Sequence, residues 1–175
     1  MTLDGYCDHT AVDADEELHD HYTDLLRQAG AIVYGRITFQ LMEYWKNVVD
    51  KPTGNKSADD FAHVFSNIPE KIVFSNTVKQ FAWKDARVAS KSIEEEIADL
   101  KRKPGKNILL GSRSIIIEGL NRNLVDEFQI CVHPVIAGSG LLLFEKKNTR
   151  LKLSLIKTKT FASGAVVFYY KPVSD

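Results

Sequence analysis

Three times in the first two thirds of the chain, a short run of apolar, β-forming residues stops abruptly at small or hydroxylated ones. The runs are Ala31-Ile32-Val33-Tyr34 before Gly35-Arg36-Ile37-Thr38, Lys71-Ile72-Val73-Phe74 before Ser75-Asn76-Thr77, and Asn107-Ile108-Leu109-Leu110 before Gly111-Ser112-Arg113-Ser114. Helical periods separate them. A chain that alternates strand and helix in this way is expected to lay its strands parallel, because the crossovers that join parallel strands are helices.

The helical stretches can be placed by their own signals. From Asp13 to Ala29 the residues Leu18, Tyr22, Leu25, Leu26 and Ala29 follow the period of one helical face; Asp13 or Asp15 is available as a cap and Gly30 as a stop. A second period runs through Phe39, Leu41, Met42 and Trp45, and residues 47–56, with Pro52 and Gly54, read as a loop. Ser57 with Asp60 resembles a capping box for a short helix that Pro69 closes, and Ser92 with Glu95 is another, opening a helix through Ile93, Ile97 and Leu100 that ends at Pro104-Gly105. Arg87-Val88-Ala89 reads as a brief strand, and Ile115 to Leu120 as a helical turn or two. After Val125 the pattern changes. Val125 to His133 reads as a strand, followed by an irregular glycine-bearing loop through Gly140, and Leu151–Phe161 with Ala165–Lys171 form a hairpin around Ser163-Gly164. The expected fold is α/β, a mixed sheet flanked by helices and ending in an antiparallel hairpin.

With 175 residues, the expectation is one domain spanning 1–175. No window approaches a membrane span and the opening residues are acidic, so no membrane partner is expected and the chain reads as cytoplasmic. Cys7 and Cys131 are too sparse for a disulfide framework. Formal net charge is zero, which argues against nucleic acid as a partner, although residues 1–87 carry 9 basic and 14 acidic residues and residues 88–175 the reverse. The basic cluster from Lys101 to Lys106 sits at a helix end, where the dipole favours cations. His19 and His21 diverge on a helix and have no third ligand nearby, so no metal is expected.

The three punctuated strand ends are the chemically informative residues. In a parallel sheet they fall along one edge. There glycine admits a ligand to the backbone, and Ser, Thr and Arg supply donors to phosphate oxygens. Each turn alone also fits a tight turn with a helix cap, and Arg36 and Arg113 also fit surface ion pairs. Neither the dinucleotide fingerprint nor the P-loop sequence is present.

In order along the chain, the opening Thr2-Leu3-Asp4-Gly5-Tyr6, the segments Gly35 to Phe39, Lys71 to Thr77, Ile108 to Ser112, Leu124 to Phe128 and Pro134 to Gly140 with Phe144, and Ser163-Gly164 before Tyr170-Lys171-Pro172 resemble the dihydrofolate reductase-like fold. Within it the chain is similar to stand-alone proteins like the reductase domain of bifunctional riboflavin-biosynthesis deaminase/reductases. That resemblance implies an NADPH-dependent reductase acting on a small heterocyclic or imine-like molecule. It implies Gly35, Arg36 and Thr38 at the cofactor phosphates, with Arg36 on the 2′-phosphate. It further implies Ser75, Asn76 and Thr77 at the adenosine end, Gly111, Ser112, Arg113 and Ser114 at the pyrophosphate, and Gly138, Ser139 and Gly140 toward the nicotinamide.

Asp4 is the candidate proton donor, weighed against a plain turn residue; Glu17, His19, Asp20 and His21 are weaker candidates. Two departures from the family stand out. Only Met1-Thr2-Leu3 precede Asp4, where the family has a central strand, so other strands or a second chain are expected to cover the gap; a homodimer is expected. The segment Leu41-Met42-Glu43-Tyr44-Trp45 also lacks the acidic Asp-Pro element of the riboflavin enzymes. The rival reading is a non-catalytic nucleotide-binding or interaction module on the same fold. A Rossmann-type protein is a third.

Overall fold

A computed structural model describes residues 1–7, 10, 15–83, 85–144 and 150–173. Two compact units emerge, one of Leu18–Arg122 and one of Met1–Glu17 with Asn123–Asp175.

The first unit is the strand–helix alternation. After α1 (Glu16–Arg27) come β1 (Ala29–Gly35), α2 (Arg36–Met42), α3 (Tyr44–Asp50), α4 (Lys56–Ser66), β2 (Glu70–Phe74), β3 (Ala86–Val88), α5 (Ile93–Arg102), β4 (Asn107–Gly111) and α6 (Arg113–Asn121). The strands are all parallel in the order β3-β2-β1-β4. Ile32, Val33, Ile72 and Val73 are fully buried although successive residues point to opposite faces, so β1 and β2 are covered on both sides. One core joins Leu26, Ile32, Phe39, Phe61, Phe65, Ile68, Val73 and Trp83. Phe61 and Phe65 stack with ring centroids 6.5 Å apart, one helical turn from each other on α4.

Local chemistry moved several expected boundaries. The period through Phe39 and Trp45 is two helices, divided at Glu43, whose carboxylate accepts from the Ala82 backbone N–H at 2.8 Å. α3 continues to Asp50, into the stretch expected to be loop. The Ser57/Asp60 capping box does not form. Asn55 caps α4 instead, its side chain accepting from Ala58 N–H at 2.9 Å, while Ser57 is buried and donates to Asp20 at 2.7 Å. The Ser92/Glu95 box forms as expected. Asp13 lies outside the described residues.

The second unit holds β5 (Phe128–Val132), β6 (Lys152–Thr160) and β7 (Val166–Val173). These form a separate antiparallel sheet in the order β5-β7-β6, with the β6–β7 hairpin turning at Ser163-Gly164 as expected. The α/β class therefore stands, with its parallel and antiparallel parts in two sheets. The opening residues make no strand: Thr2 forms an isolated parallel bridge with His133. β4 is an edge strand of its sheet. Among the described residues no other strand pairs with that edge.

Candidate functional site

Parallel register brings the three punctuated turns together. Gly35 pairs with Phe74, and Tyr34 with Gly111, so Gly35, Ser75 and Gly111 stand side by side at the carboxyl edge of neighbouring strands. All lie within the first unit. This is the arrangement in which open α/β sheets place ligands.

Each turn is held by its own bonds. The Gly35 N–H donates to Ser112 Oγ at 2.7 Å, linking the turn after β1 to the turn after β4. A Cβ on Gly35 would lie 3.1 Å from the Ser112 hydroxyl and 3.2 Å from that of Ser114, so the glycine sits in a cradle of two hydroxyls. Ser112 has φ 88°, a left-handed conformation that L residues other than glycine rarely adopt. At Gly111 a Cβ would lie 2.0 Å from the Tyr34 ring, so that glycine is dictated by packing. Tyr34 packs on Phe39 and Phe65, and burial pushes its phenol up to about 12, which keeps it protonated.

The remaining residues of the first unit's rim vary in engagement. Arg36 donates to Gln40 at 2.9 Å and forms no ion pair among the described residues. Thr38 follows on α2. The Ser75 hydroxyl accepts from Val78 N–H at 2.9 Å and Thr77 N–H at 3.3 Å, shaping a turn that leaves Asn76 and Thr77 exposed. Arg113 and Ser114 open α6.

Asp4 and Gly138-Ser139-Gly140 come together in the second unit. The Asp4 carboxylate accepts from the Thr2 hydroxyl at 2.6 Å, Gly138 N–H at 2.8 Å and Ala137 N–H at 3.2 Å. Two successive backbone N–H groups converging on one anion make a nest. The Thr2 hydroxyl first, then the Gly138 N–H, hold the carboxyl below its ordinary range. With three donors on its carboxylate, Asp4 anchors the 137–138 turn.

The weaker acid–base candidates also have structural partners. Glu17 accepts from Ala162 N–H at 3.0 Å, Asp20 from Ser57, and His19 lies edge-on to Trp45 with centroids 6.0 Å apart. Trp45 itself packs on Phe61 at 4.6 Å, whereas Tyr44 is exposed. A cavity of about 650 Å³ lies at the opposite, amino end of the parallel strands, lined by Leu26, Ile68 and Leu100 with Arg27, Lys103 and Lys106 at its charged rim. Those cations are engaged: Arg27 with Asp24 and Asp60, Lys103 with Glu70, and Lys106 with the Arg27 carbonyl. Sequence reasoning reached the turns but not the hydroxyl tie, since nothing in Gly-Ser reveals which backbone group its side chain meets.

A parallel α/β sheet whose strand-end turns gather glycines and hydroxyls on one edge defines the class of this protein as an α/β domain with its candidate ligand site at the carboxyl ends of its strands. More specifically, the chain belongs to the RibD C-terminal domain family, the reductase domain of riboflavin biosynthesis, whose pattern matches residues 1–167. It is 34% identical over 174 residues to the uncharacterized protein YyaP of Bacillus subtilis (strain 168), covering 97% of this chain and 90% of that one. It is 26% identical over 151 residues to the uncharacterized protein YwjB of the same organism, covering 86% and 78%. Among solved structures, a putative riboflavin biosynthesis protein from Shewanella sp. PV-4 superposes with a TM-score of 0.73 at 19% identity, covering 99% of this chain and 95% of that one. The deaminase/5-amino-6-(5-phosphoribosylamino)uracil reductase of Thermotoga maritima gives 0.64 at 16% identity, covering 98% of this chain and 54% of that longer one. At these identities the structural likenesses speak for the fold. No helix among the described residues is long and apolar enough to cross a membrane.

Proposed function

We propose that this protein is an NADPH-dependent reductase that delivers hydride to a small heterocyclic or imine-like acceptor. Family membership supports the reductase class. The observation that carries the cofactor reading is the register that gathers Gly35, Ser75 and Gly111 on one edge. The residues fit a phosphate-bearing cofactor: the hydroxyls of Ser112 and Ser114 gather at the Gly35 turn, and Arg36 has no carboxylate partner among the described residues to compete for it. In this reading Arg36 takes the 2′-phosphate through its planar fork. Ser75, Asn76 and Thr77 border the adenosine, and the Gly111 to Ser114 turn meets the pyrophosphate. When bound, the nicotinamide supplies the hydride, and the protein orients it and the acceptor.

A second reading, a nucleotide-binding module without turnover, is favoured by one observation: the carboxylate of Asp4, the proton-donor candidate, is taken up by three hydrogen-bond donors of its own unit. Titrating the protein with NADPH while following nicotinamide fluorescence separates the first step. Saturable binding at micromolar cofactor is expected, and its absence overturns both readings. Screening pterins, pyrimidine ribosylamines and simple imines for NADPH oxidation then separates enzyme from binding module. We propose further that the chain acts as a homodimer.

A further inference from the structure

We infer that Ser112 is a positioning residue that fixes the turns after β1 and β4 relative to each other and aims a hydroxyl proton at the bound ligand. The inference rests on the reading of this edge as a phosphate site and adds to it how the edge is held and oriented.

Two observations made on different atoms support it. The first is the bond from Gly35 N–H to Ser112 Oγ at 2.7 Å. That bond uses a lone pair of the hydroxyl, so the hydroxyl's own proton must point away from Gly35. No acceptor among the described residues takes that proton. An O–H that already accepts from an N–H is polarised toward donating, which makes it a better partner for an anionic oxygen. The second observation is the Ser112 backbone at φ 88°. Glycine would occupy that conformation without a Cβ penalty, yet the chain carries serine, and strain of this kind persists where surrounding structure over-determines the residue. A backbone cost retained together with a side-chain bond across two turns points to the hydroxyl as the reason for the serine.

The two smallest substitutions divide these effects. Ser112→Ala removes the hydroxyl and keeps the left-handed strain. Ser112→Gly removes the hydroxyl and relieves the strain. Both are expected to speed amide exchange at Gly35, and Ser112→Gly should melt a few degrees above Ser112→Ala. Both should weaken NADPH binding to a similar extent, roughly tenfold, as for loss of one hydrogen bond to a charged group.

If Ser112 served folding alone, both variants, while folded, would bind NADPH as tightly as the unsubstituted protein; that result overturns the ligand-facing half of the inference. Unchanged Gly35 exchange in both variants overturns the inference as well, since the tie would then hold nothing. Failure of the unsubstituted protein to bind NADPH removes the cofactor reading and the ligand-facing half of the inference. The exchange measurement, made without cofactor, still decides the tie.

Discussion

Lys71 shows how one residue can settle a junction between elements. Its side chain is wholly buried on β2, yet its ammonium donates to the Ser66 carbonyl at 3.0 Å and the Ile68 carbonyl at 2.8 Å, and pairs with Asp85. The Phe65 and Trp83 rings lie 6.0 and 5.7 Å away. Carbonyls at the end of a helix lack intrahelical donors, so Lys71 completes the exit of α4 from the strand that follows it. Lys71→Met keeps the bulk and leaves those carbonyls bare, and is expected to cost about 3 kcal/mol in urea unfolding. Asp85→Asn should cost under about 1 kcal/mol, because Asp85 is half exposed and both carbonyl bonds survive. Equal losses in the two variants would show that the ion pair, and not the carbonyl bonds, dominates. None of this was legible in the sequence, where Lys71 simply opens an apolar run. The same is true of Asp4: its place in an Asp-Gly turn was readable, but the two N–H groups it holds lie more than 130 residues away.

Among the elements, those defined by contiguous pattern were legible and those closed by distant partners were not. The strands ending at Gly35, Phe74 and Gly111, the Ser92/Glu95 capping box and the final hairpin all follow from neighbours in sequence. The division between α2 and α3 depends on Glu43 reaching Ala82, and the α4 cap moved because the Asn55 amide oxygen takes the Ala58 N–H while Ser57 turns to Asp20. The end of β5 carries a pH response. His133 is buried beside Cys131, 3.6 Å from its sulfur; burial first, then the chain's terminal ammonium, lowers its pKa, and Asp15 opposes them. In the unfolded chain the imidazole gains its proton near the ordinary 6.5, and in the fold only at lower pH. Between those values the unfolded state binds more protons, so stability falls as pH drops below 6.5 and is recovered above it. Measured unfolding free energy should show that slope, and His133→Gln should flatten it. An unchanged slope in the variant would assign the response to another group.

For the molecule as a whole, the parallel edge was legible because alternation dictates parallel strands, whereas the separation into two sheets was not, because nothing local reports which strand a short opening segment will join. The proposed homodimer would form across β6, a nine-residue edge strand exposed along nearly its whole length, with Leu155 and Ile156 each about half accessible. Unpaired edges of that length invite another chain unless guarded. Lys157 and Lys159 fold over the Tyr169 and Phe161 rings at 4.6 and 4.8 Å, so both guards lie along the sheet. Sedimentation at micromolar concentration should give twice 19.7 kDa, and Leu155→Asp should halve it. A single-chain mass for the unsubstituted protein would end the proposal. The phenol ring at position 34 has a different reach. It occupies the space that any side chain at 111 would need, and it leans on the aromatic residues at the centre of its unit. Positions 34 and 111 therefore cannot vary independently. A descendant that enlarges the second must first shrink the first, so the outline of the ligand edge is inherited from the interior behind it.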